Sequence, residues 1–487
     1  MKRWGLLTAI LLCTMLVHKA LAQDIIYSGY EKYDLRSGDF SVIGKVGGKL
    51  YTYRSSTEGF FLDMWDDQMV RQSTVILDFF PTKIYETRFI AYPDKIIALY
   101  QSLERGKVVQ HAAQLDAASR LIGEPLRLDS AKTGFFGSNR DYFSSVVSED
   151  KHYFAVYAAN VKGAELELSA TVLDDQLHQV RRFTKHYEGE KGLDRGEAML
   201  GNDGTFYIPA VHKVGNQDYA DAVTLLSIEP SETVLRRSPL PLKERFAAST
   251  FMRVDNSNNR IYIGGFYSEK KNGNYDGVIY AQYNIAAHAL ENQKMLAFDD
   301  RLKEATGERN KKRAFNDYQV RQLIVKKDGG FVMISESYEM TTRNIGSPYG
   351  YSSFGMGYSP FMSNRTIREY RYGDILSLSY NANGEREWNA FVRKEQYSQE
   401  DGGLYSSYAL LNTGGSLGFL YNDFSSRRLS IQLATVDGDG KIAMHPLNAA
   451  GNEDPSWLPR SGKQVAAREL IVPCLRKRQI CFAKIIF

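Results

Sequence analysis

An all-β propeller is the fold class that this sequence predicts, on three observations. A short phrase occurs eight times, in which a turn rich in Gly, Asp or Asn leads into a strand of aromatic and β-branched residues. Most copies are followed by a second hairpin of two alternating strands around a polar turn. The two chain ends each carry part of a unit. Repeats of this size that form strands are typical of propellers and related arrays.

One repeat unit has four strands, which we name a, b, c and d in chain order. Strand a precedes the Gly/Asp turn, strand b follows it, and strands c and d form the second hairpin. Four antiparallel strands per unit correspond to one propeller blade. Eight blades are therefore expected, or seven if one weak unit belongs to its neighbour. The eight phrases begin at Gly47, Pro93, Glu149, Asn202, Asn258, Asp328, Thr413 and Lys477.

The chain ends predict how the ring closes. The last unit has only two strands in sequence, at residues 468–472 and 479–485, and residues 25–33 form a spare strand before the first complete unit. We expect the spare strand to complete the last blade, because closure removes exposed sheet edges. Residues 23–487 are then a single propeller domain.

The first 22 residues have the pattern of an export signal. Lys2 and Arg3 precede an apolar core, and Ala-Leu-Ala at residues 20–22 is a small-x-small cleavage site before Gln23. The apolar stretch is shorter than the ~20 residues that span a bilayer. A lipid anchor at Cys13 is disfavoured because Leu12 stands where a small residue is expected. We expect an exported protein, periplasmic or extracellular, without a transmembrane segment.

Charge and histidine content exclude several function classes. The formal charge of +4 falls to about +1 once the three basic residues of the signal are removed, which gives no reason to expect a nucleic-acid partner. The histidines are scattered and the H-E-x-x-H pattern is absent, so no metal or cofactor is expected. The mature protein is expected to be a monomer.

Two apparent motifs are better explained as turns. Residues 414–418 match G-x-S-x-G, but Ser416 opens a strand b and no helix follows, as a nucleophile elbow would require. Residues 437–441 resemble the start of a calcium loop, yet its twelfth position is Asn448 rather than a bidentate Glu. A c–d hairpin turn is the simpler interpretation.

Two insertions interrupt the repeat. Residues 298–317 are highly charged and could form a short helix or a solvated loop. Residues 341–372, between strands b and c of the sixth unit, are rich in Gly, Ser and aromatic residues and poor in acid. Loops of this length are usually functional or disordered. We predict that this loop contributes to ligand binding, unless it buries its own aromatic side chains. The predicted ligand-binding residues are Tyr349, Tyr351, Phe354, Tyr358 and Phe361.

Cys474 and Cys481 are the only cysteines after the signal. A two-residue turn at residues 477–478 would place them directly opposite on adjacent strands. In an export compartment such a pair can form a disulfide, although two packed thiols are equally compatible with the sequence.

The repeats resemble β-propellers in general, and the chain resembles exported propellers of uncharacterised function from Bacteroidetes-type bacteria. No specific family motif is matched, because the units lack the WD40 G-H…W-D pair and consistent kelch glycines. The failed catalytic motifs, the scattered histidines and the aromatic loop lead us to expect an exported binding or scaffold protein that holds a glycan or a protein partner on one face and catalyses nothing. The alternative is a hydrolase or lyase that acts on glycans or peptides at the ring axis.

Overall fold

The structure is a computed structural model, and it describes residues 24–34, 38–132, 142–214, 219–345, 365–424, 430–449 and 455–487. The predicted signal, residues 1–22, and the predicted ligand-binding aromatic residues between 349 and 361 lie outside this described part. Eight four-stranded antiparallel blades form a propeller, as the repeat predicted. Blades are numbered here from the first complete unit.

Blades 1 to 3 are separate four-stranded sheets with strands in the order a-b-c-d. Blade 1 consists of Phe40–Val46, Lys49–Ser56, Gly59–Trp65 and Arg71–Ile76. Blade 2 consists of Ile84–Ala91, Lys95–Glu104, Lys107–Asp116 and Leu121–Lys132. Blade 3 consists of Ser144–Val147, Tyr153–Lys162, Glu165–Asp174 and Gln179–Glu188.

Blades 4 and 5 are joined into one nine-stranded sheet, because Tyr219 and Ala220 pair with Ala248 and Ala247. Strand a of blade 4 is broken into two pieces. The strands of blade 4 are Leu193–Arg195 with Met199–Leu200, Phe206–Lys213, Tyr219–Ile228 and Arg236–Leu240. The strands of blade 5 are Phe246–Asp255, Arg260–Ser268, Gly277–Asn284 and Ala289–Ala297.

Blades 6 and 7 complete the series before closure. Blade 6 consists of Tyr318–Val325, Phe331–Ile345, Arg365–Tyr380 and Arg386–Val392, and Gln396–Gln399 pairs with the early part of its strand c. Blade 7 consists of Tyr408–Asn412, Ser416–Asp423, Ser430–Asp437 and Ile442–Ala449. Ser416 therefore opens a strand b and Asp437 closes a strand c, as predicted.

Blade 8 closes the ring with strands from both chain ends, which confirms the predicted closure. Strand a consists of two short pieces, Ser456–Trp457 and Lys463–Ala466. Strand b is Glu469–Arg476 and strand c is Gln479–Ile486. Strand d comes from the N-terminus and consists of Asp24–Tyr27 and Glu31–Lys32. The strand names that the sequence predicted for this blade were shifted by one position. Gln479–Ile486 is strand c rather than strand b, because the short pieces before Glu469 supply strand a. The N-terminal segment pairs with Gln479–Ile486 as the outermost strand d.

Strand a lies nearest the ring axis in each blade. The a strands of blades 7, 8, 1 and 2 contact one another in that order, as do those of blades 3 to 6. Strand b is the most buried strand of a blade, as in Lys95–Glu104, whose first eight residues are all buried. Strand d faces solvent, as in Gln179–Glu188, where exposed and half-buried residues alternate. Aromatic and β-branched residues fill the space between blades because they pack well on pleated surfaces.

The propeller has two faces that the strand directions define. The turns between strands a and b lie on one face, here the a–b face, and the b–c connections lie on the other, the b–c face. Neighbouring a–b turns are hydrogen-bonded to one another: Gly47 N donates to Pro93 O at 2.7 Å, and Asn202 N donates to Asn256 Oδ1 at 2.8 Å. These bonds lock adjacent blades in register around the ring.

The charged insertion between blades 5 and 6 contains one short helix, α1 (Asp300–Ala305), and a 3₁₀ turn, Lys311–Arg313. Asp299 caps α1, since its side chain accepts a hydrogen bond from Leu302 N at 2.7 Å. The buried side chain of Leu302 anchors the insertion to the body. No helix within the described ranges combines the length and apolar character that crossing a bilayer requires.

Candidate functional site

A groove lies between blades 6 and 7 and opens on the b–c face. Its volume is about 1060 Å³, comparable with the ~300–1,000 Å³ of pockets that hold small ligands. Four parts of the chain line most of it: the insertion between blades 5 and 6, the b–c hairpin of blade 6, the segment after blade 6, and strands b, c and d of blade 7. Tyrosine and charged side chains dominate the lining.

The hairpin of blade 6 projects beyond its blade as a ribbon. Strand pairing continues from Tyr338 opposite Tyr372 to Ile345 opposite Arg365. The sequence therefore placed the start of the loop too early, because residues 341–345 and 365–372 continue strands b and c. The composition of these stretches is compatible with either a loop or a solvent-exposed ribbon. Only the backbone pairing between the two strands shows that they form a ribbon.

An exposed tyrosine and an arginine form a small platform on the ribbon face that lines the groove. Tyr397 is 45 % exposed, and Cζ of Arg371 lies 5.7 Å from the centre of its ring. The Tyr397 hydroxyl donates to Glu369 Oε1 at 2.9 Å. Arg343 forms an ion pair with the same oxygen at 3.3 Å. Hydrogen bonding from Tyr397, together with the Arg343 charge, lowers the pKa of Glu369. We call Arg371 and Tyr397 the Tyr397 platform.

The opposite wall is tied to blade 6 by Arg393. Its guanidinium group contacts the Asp374 carboxylate and donates to the carbonyl of Thr306 at 3.1 Å. The hydroxyl of Tyr421, on blade 7, donates to Arg393 O at 3.3 Å. One arginine thus connects the helical insertion, blade 6 and blade 7 at the groove.

A buried ionic network lies beneath the groove. Lys394 Nζ lies 2.8 Å from Glu336 Oε1, and Arg321 Nε lies 3.3 Å from Glu336 Oε2. Ser407, at the start of blade 7, donates its hydroxyl to Glu336 Oε2 at 2.9 Å. Gln396 accepts from Lys394 Nζ at 3.0 Å and from Ser407 N at 2.8 Å. The network therefore joins blades 6 and 7.

Tyr372 separates this network from solvent. Its ring packs against Tyr338 with ring centres 4.8 Å apart, and its hydroxyl accepts a hydrogen bond from Arg460 at 3.2 Å. Gly403, whose φ is +70°, approaches so closely that a Cβ there would lie 2.7 Å from the Tyr372 ring. A glycine is required at this position for both reasons.

Burial sets the protonation of the groove side chains. It lowers the pKa of Lys394, against the opposing effect of the Glu336 carboxylate. It raises the pKa of Tyr372, and it raises the pKa of Tyr421 to about 12. Both hydroxyls are protonated at neutral pH. Tyr421 donates its hydrogen to Arg393 O, and Tyr372, which accepts from Arg460, retains a hydrogen to donate.

Of the site residues that the sequence predicted, the structure describes the two cysteines and does not describe the five aromatic residues. The five aromatic residues lie outside the described part of the chain, in the segment that connects the two strands of the ribbon. Cys474 and Cys481 are directly opposite in register on strands b and c of blade 8, and both are buried free thiols. The disulfide itself stays a prediction.

Sequence reasoning missed the Tyr397 platform and the ionic network. Their members come from strands a, b and c of blade 6, from the segment after strand d and from the start of blade 7, so no local motif contains them. The sequence offers one weak signal for the network. In the polar stretch after blade 6, Lys394 and Gln396 are buried, whereas the residues that alternate with them are exposed.

No metal centre is apparent in the part of the chain that the structure describes, since no group of three His, Cys, Asp or Glu side chains lies close enough to hold an ion.

Comparison with known proteins gives fold-level similarities at low identity. No protein-family model matches the chain, and no curated protein matches it in sequence. The WD40 domain of SCAP from fission yeast aligns with a TM-score of 0.43 and 8% identity, over 96% of this chain and 98% of that one.

Two enzymes align at a similar distance. Prolyl oligopeptidase B from Galerina marginata aligns with a TM-score of 0.41 and 10% identity. The alignment covers 92% of this chain and 56% of the peptidase. The polysaccharide lyase Uly1 has a TM-score of 0.41 and 9% identity over 82% of this chain and 89% of the lyase.

Proposed function

We propose that this protein is an exported binding module that holds a glycan or a protein partner in the groove between blades 6 and 7, and that it catalyses nothing. The observation that carries the proposal is the Tyr397 platform at the edge of a groove of about 1060 Å³. Tyrosine offers a large apolar face and a hydroxyl at low entropic cost. An arginine beside it adds a planar donor for hydroxyl, carboxylate or carbonyl groups.

Three charged groups in and beneath the groove are held in ion pairs, which favours a structural role for them. Asp374 is paired with Arg393, Glu369 with Arg343, and Lys394 with Glu336. A general base needs access to its substrate, yet the side chain of Lys394 is only 1% exposed. These charges hold the walls of the groove together.

The predicted ligand-binding loop fits the same proposal. Tyr349, Tyr351, Phe354, Tyr358 and Phe361 belong to the segment between the two strands of the ribbon, and the ribbon itself lines the groove. We propose that these aromatic residues add contacts to the partner held there. Deleting residues 347–363 should then weaken capture of the partner and leave the thermal melt nearly unchanged.

Affinity electrophoresis in gels that contain neutral or acidic polysaccharides, together with a peptide array, tests the proposal. Tyr397→Ala and Arg371→Ala should each weaken retention at least about tenfold, the loss expected from ~1.4 kcal/mol of contact energy. A matched control exists in blade 8, where Arg476 Cζ lies 5.6 Å from the ring of Tyr30. Tyr30→Ala should leave retention unchanged.

Two results would overturn the proposal. Equal retention of the Tyr397 and Tyr30 variants on every retained probe would remove the groove from binding. Turnover of a polysaccharide or peptide that one axial substitution abolishes would establish the enzyme alternative. Export is tested separately by mass spectrometry of the secreted or periplasmic protein, which should begin at Gln23.

A further inference from the structure

A second pocket lies near the ring axis, towards the a–b face and away from the groove. Its volume is about 180 Å³, room for roughly six water molecules at ~30 Å³ each. The innermost strands of blades 3, 4 and 5 line it. A cavity of this size accommodates one small molecule and excludes an oligosaccharide or a folded segment.

The pocket exists because strand a of blade 4 is interrupted. Between the pairs Arg195–Ala210 and Met199–Tyr207, the inner strand has three residues and its partner has two. This one-residue excess is a β-bulge, a feature that re-aims side chains. Pro209 stands opposite the break and has no N–H to donate to it. Gly196 fits there because even a Cβ would lie 3.1 Å from the Pro209 ring.

Opposite charges line the pocket without being neutralised by each other. Glu197 and Arg253 are both exposed, and neither forms an ion pair with any residue in the described ranges. Asn256 lies beside them and donates to Glu149 Oε2 at 3.0 Å. A carboxylate, a guanidinium group and a carboxylate–amide pair thus face one small space.

The remaining wall is apolar. Side chains from strands a of blades 3, 4 and 5 supply it, and they are half-buried or buried. They are Val146, Val147, Met199, Phe251, Met252 and Val254. A ligand that matches this pocket needs an anionic group, a cationic group and a compact apolar body.

We propose that the axial pocket binds a free α-amino acid with an apolar side chain. Its carboxylate pairs with Arg253, because guanidinium and carboxylate groups form strong charge-assisted hydrogen bonds. Its ammonium group pairs with Glu197, and Glu149 with Asn256 provides further acceptors. Its side chain packs against the apolar wall. This site is independent of the groove and goes beyond the proposed function.

Isothermal titration calorimetry with the twenty common L-amino acids, added singly at millimolar concentration, tests this site. Leucine, isoleucine, valine or methionine should bind. N-acetyl-leucine lacks the cation and leucinamide lacks the anion, so each should bind at least about tenfold more weakly than leucine, since every tenfold step is ~1.4 kcal/mol.

Variants identify the pocket as the place of binding. Arg253→Gln and Glu197→Gln should each weaken amino-acid binding at least about tenfold. Glu124→Gln and Arg301→Gln, exposed and outside both cavities, serve as matched controls and should bind normally, as should the groove variant Tyr397→Ala. Unaltered thermal melts of the pocket variants show that the fold is intact.

The proposal fails if none of the twenty amino acids binds. It also fails if the derivatives that lack one charge bind as tightly as leucine, or if Arg253→Gln and Glu197→Gln bind like the controls. Because Tyr397→Ala acts only on the groove, failure here leaves the proposed function untouched.

Discussion

Lys394 and Glu336 form a buried ion pair beneath the groove, with 2.8 Å between Nζ and Oε1 and side chains that are 1% and 0% exposed. The lysine follows strand d of blade 6 and the glutamate belongs to strand b. Arg321 and Ser407 satisfy the second carboxylate oxygen. The pair is consequently part of the contact between blades 6 and 7.

Breaking this pair from one side should destabilise the propeller. Glu336→Gln leaves a buried ammonium group, which costs about 3–5 kcal/mol of unfolding free energy. The double variant Glu336→Gln/Lys394→Met should lose less than Glu336→Gln alone, because the buried ammonium group is removed and only Arg321, whose side chain is 32% exposed, loses its carboxylate partner. Denaturant unfolding of the natural protein, Glu336→Gln, Lys394→Met and the double variant measures the order. A double variant that loses the sum of the two single effects would contradict a direct coupling.

An exposed ion pair is the matched control for that experiment. Lys32 Nζ lies 2.8 Å from Glu58 Oε1, with side chains that are 77% and 58% exposed. Lys32→Met should leave the unfolding free energy nearly unchanged, since solvent screens such pairs.

The stability contribution of Lys394 should depend on pH. Burial lowers its pKa in the folded state below the ordinary value of 10.5. In the window between the lowered pKa and 10.5, the unfolded chain binds more protons, so the folded state gains stability as pH rises. The difference in unfolding free energy between the natural protein and Lys394→Met should grow as the pH rises from the lowered pKa towards 10.5. A difference that shrinks across this range would contradict the lowered pKa.

Ring closure should depend on Glu469. Its carboxylate lies 2.6 Å from Lys45 Nζ of blade 1 and 3.3 Å from Lys484 Nζ of blade 8. Because Lys484 is only 4% exposed, Glu469→Gln should cost about 1.5–3 kcal/mol, the scale of a hydrogen bond to a charged group. Asp67 contacts the same two lysines but is 67% exposed, so Asp67→Asn should cost less than about 1 kcal/mol. Equal losses in thermal or denaturant unfolding would refute this account.

The two cysteines of blade 8 give a redox prediction. Cys474 and Cys481 are paired in register across strands b and c. Burial raises the pKa of the Cys474 thiol, which keeps the folded thiol unreactive, so the bond should form before blade 8 is packed. Thiol titration of the exported protein in denaturant should find no free thiol before reduction and two after it. Two free thiols without reductant would reject the bond.

The repeat phrase was sufficient to predict blades 1 to 7, because a Gly/Asp turn followed by an apolar strand is a local signal. It was misleading at Lys477, where the tight turn before Gln479 imitates an a–b turn but joins strands b and c. The short pieces Ser456–Trp457 and Lys463–Ala466 hold strand a of blade 8, and strands this short carry no periodicity. The ribbon within residues 341–372 was missed for a similar reason, since solvated strands and loops share a composition.

The sequence by itself determined the all-β architecture, the eight repeats and the pairing of the N-terminal strand with the last blade. These follow from turn chemistry and from the alternation of apolar residues, which act over a few positions. Only the tertiary structure decided which side chains meet. Glu336 and Ser407 are more than 50 residues apart in sequence and form a hydrogen bond. Glu197 and Arg253 are also more than 50 residues apart, and they line one pocket. Both arrangements depend on how neighbouring blades pack around the ring, which no local pattern encodes.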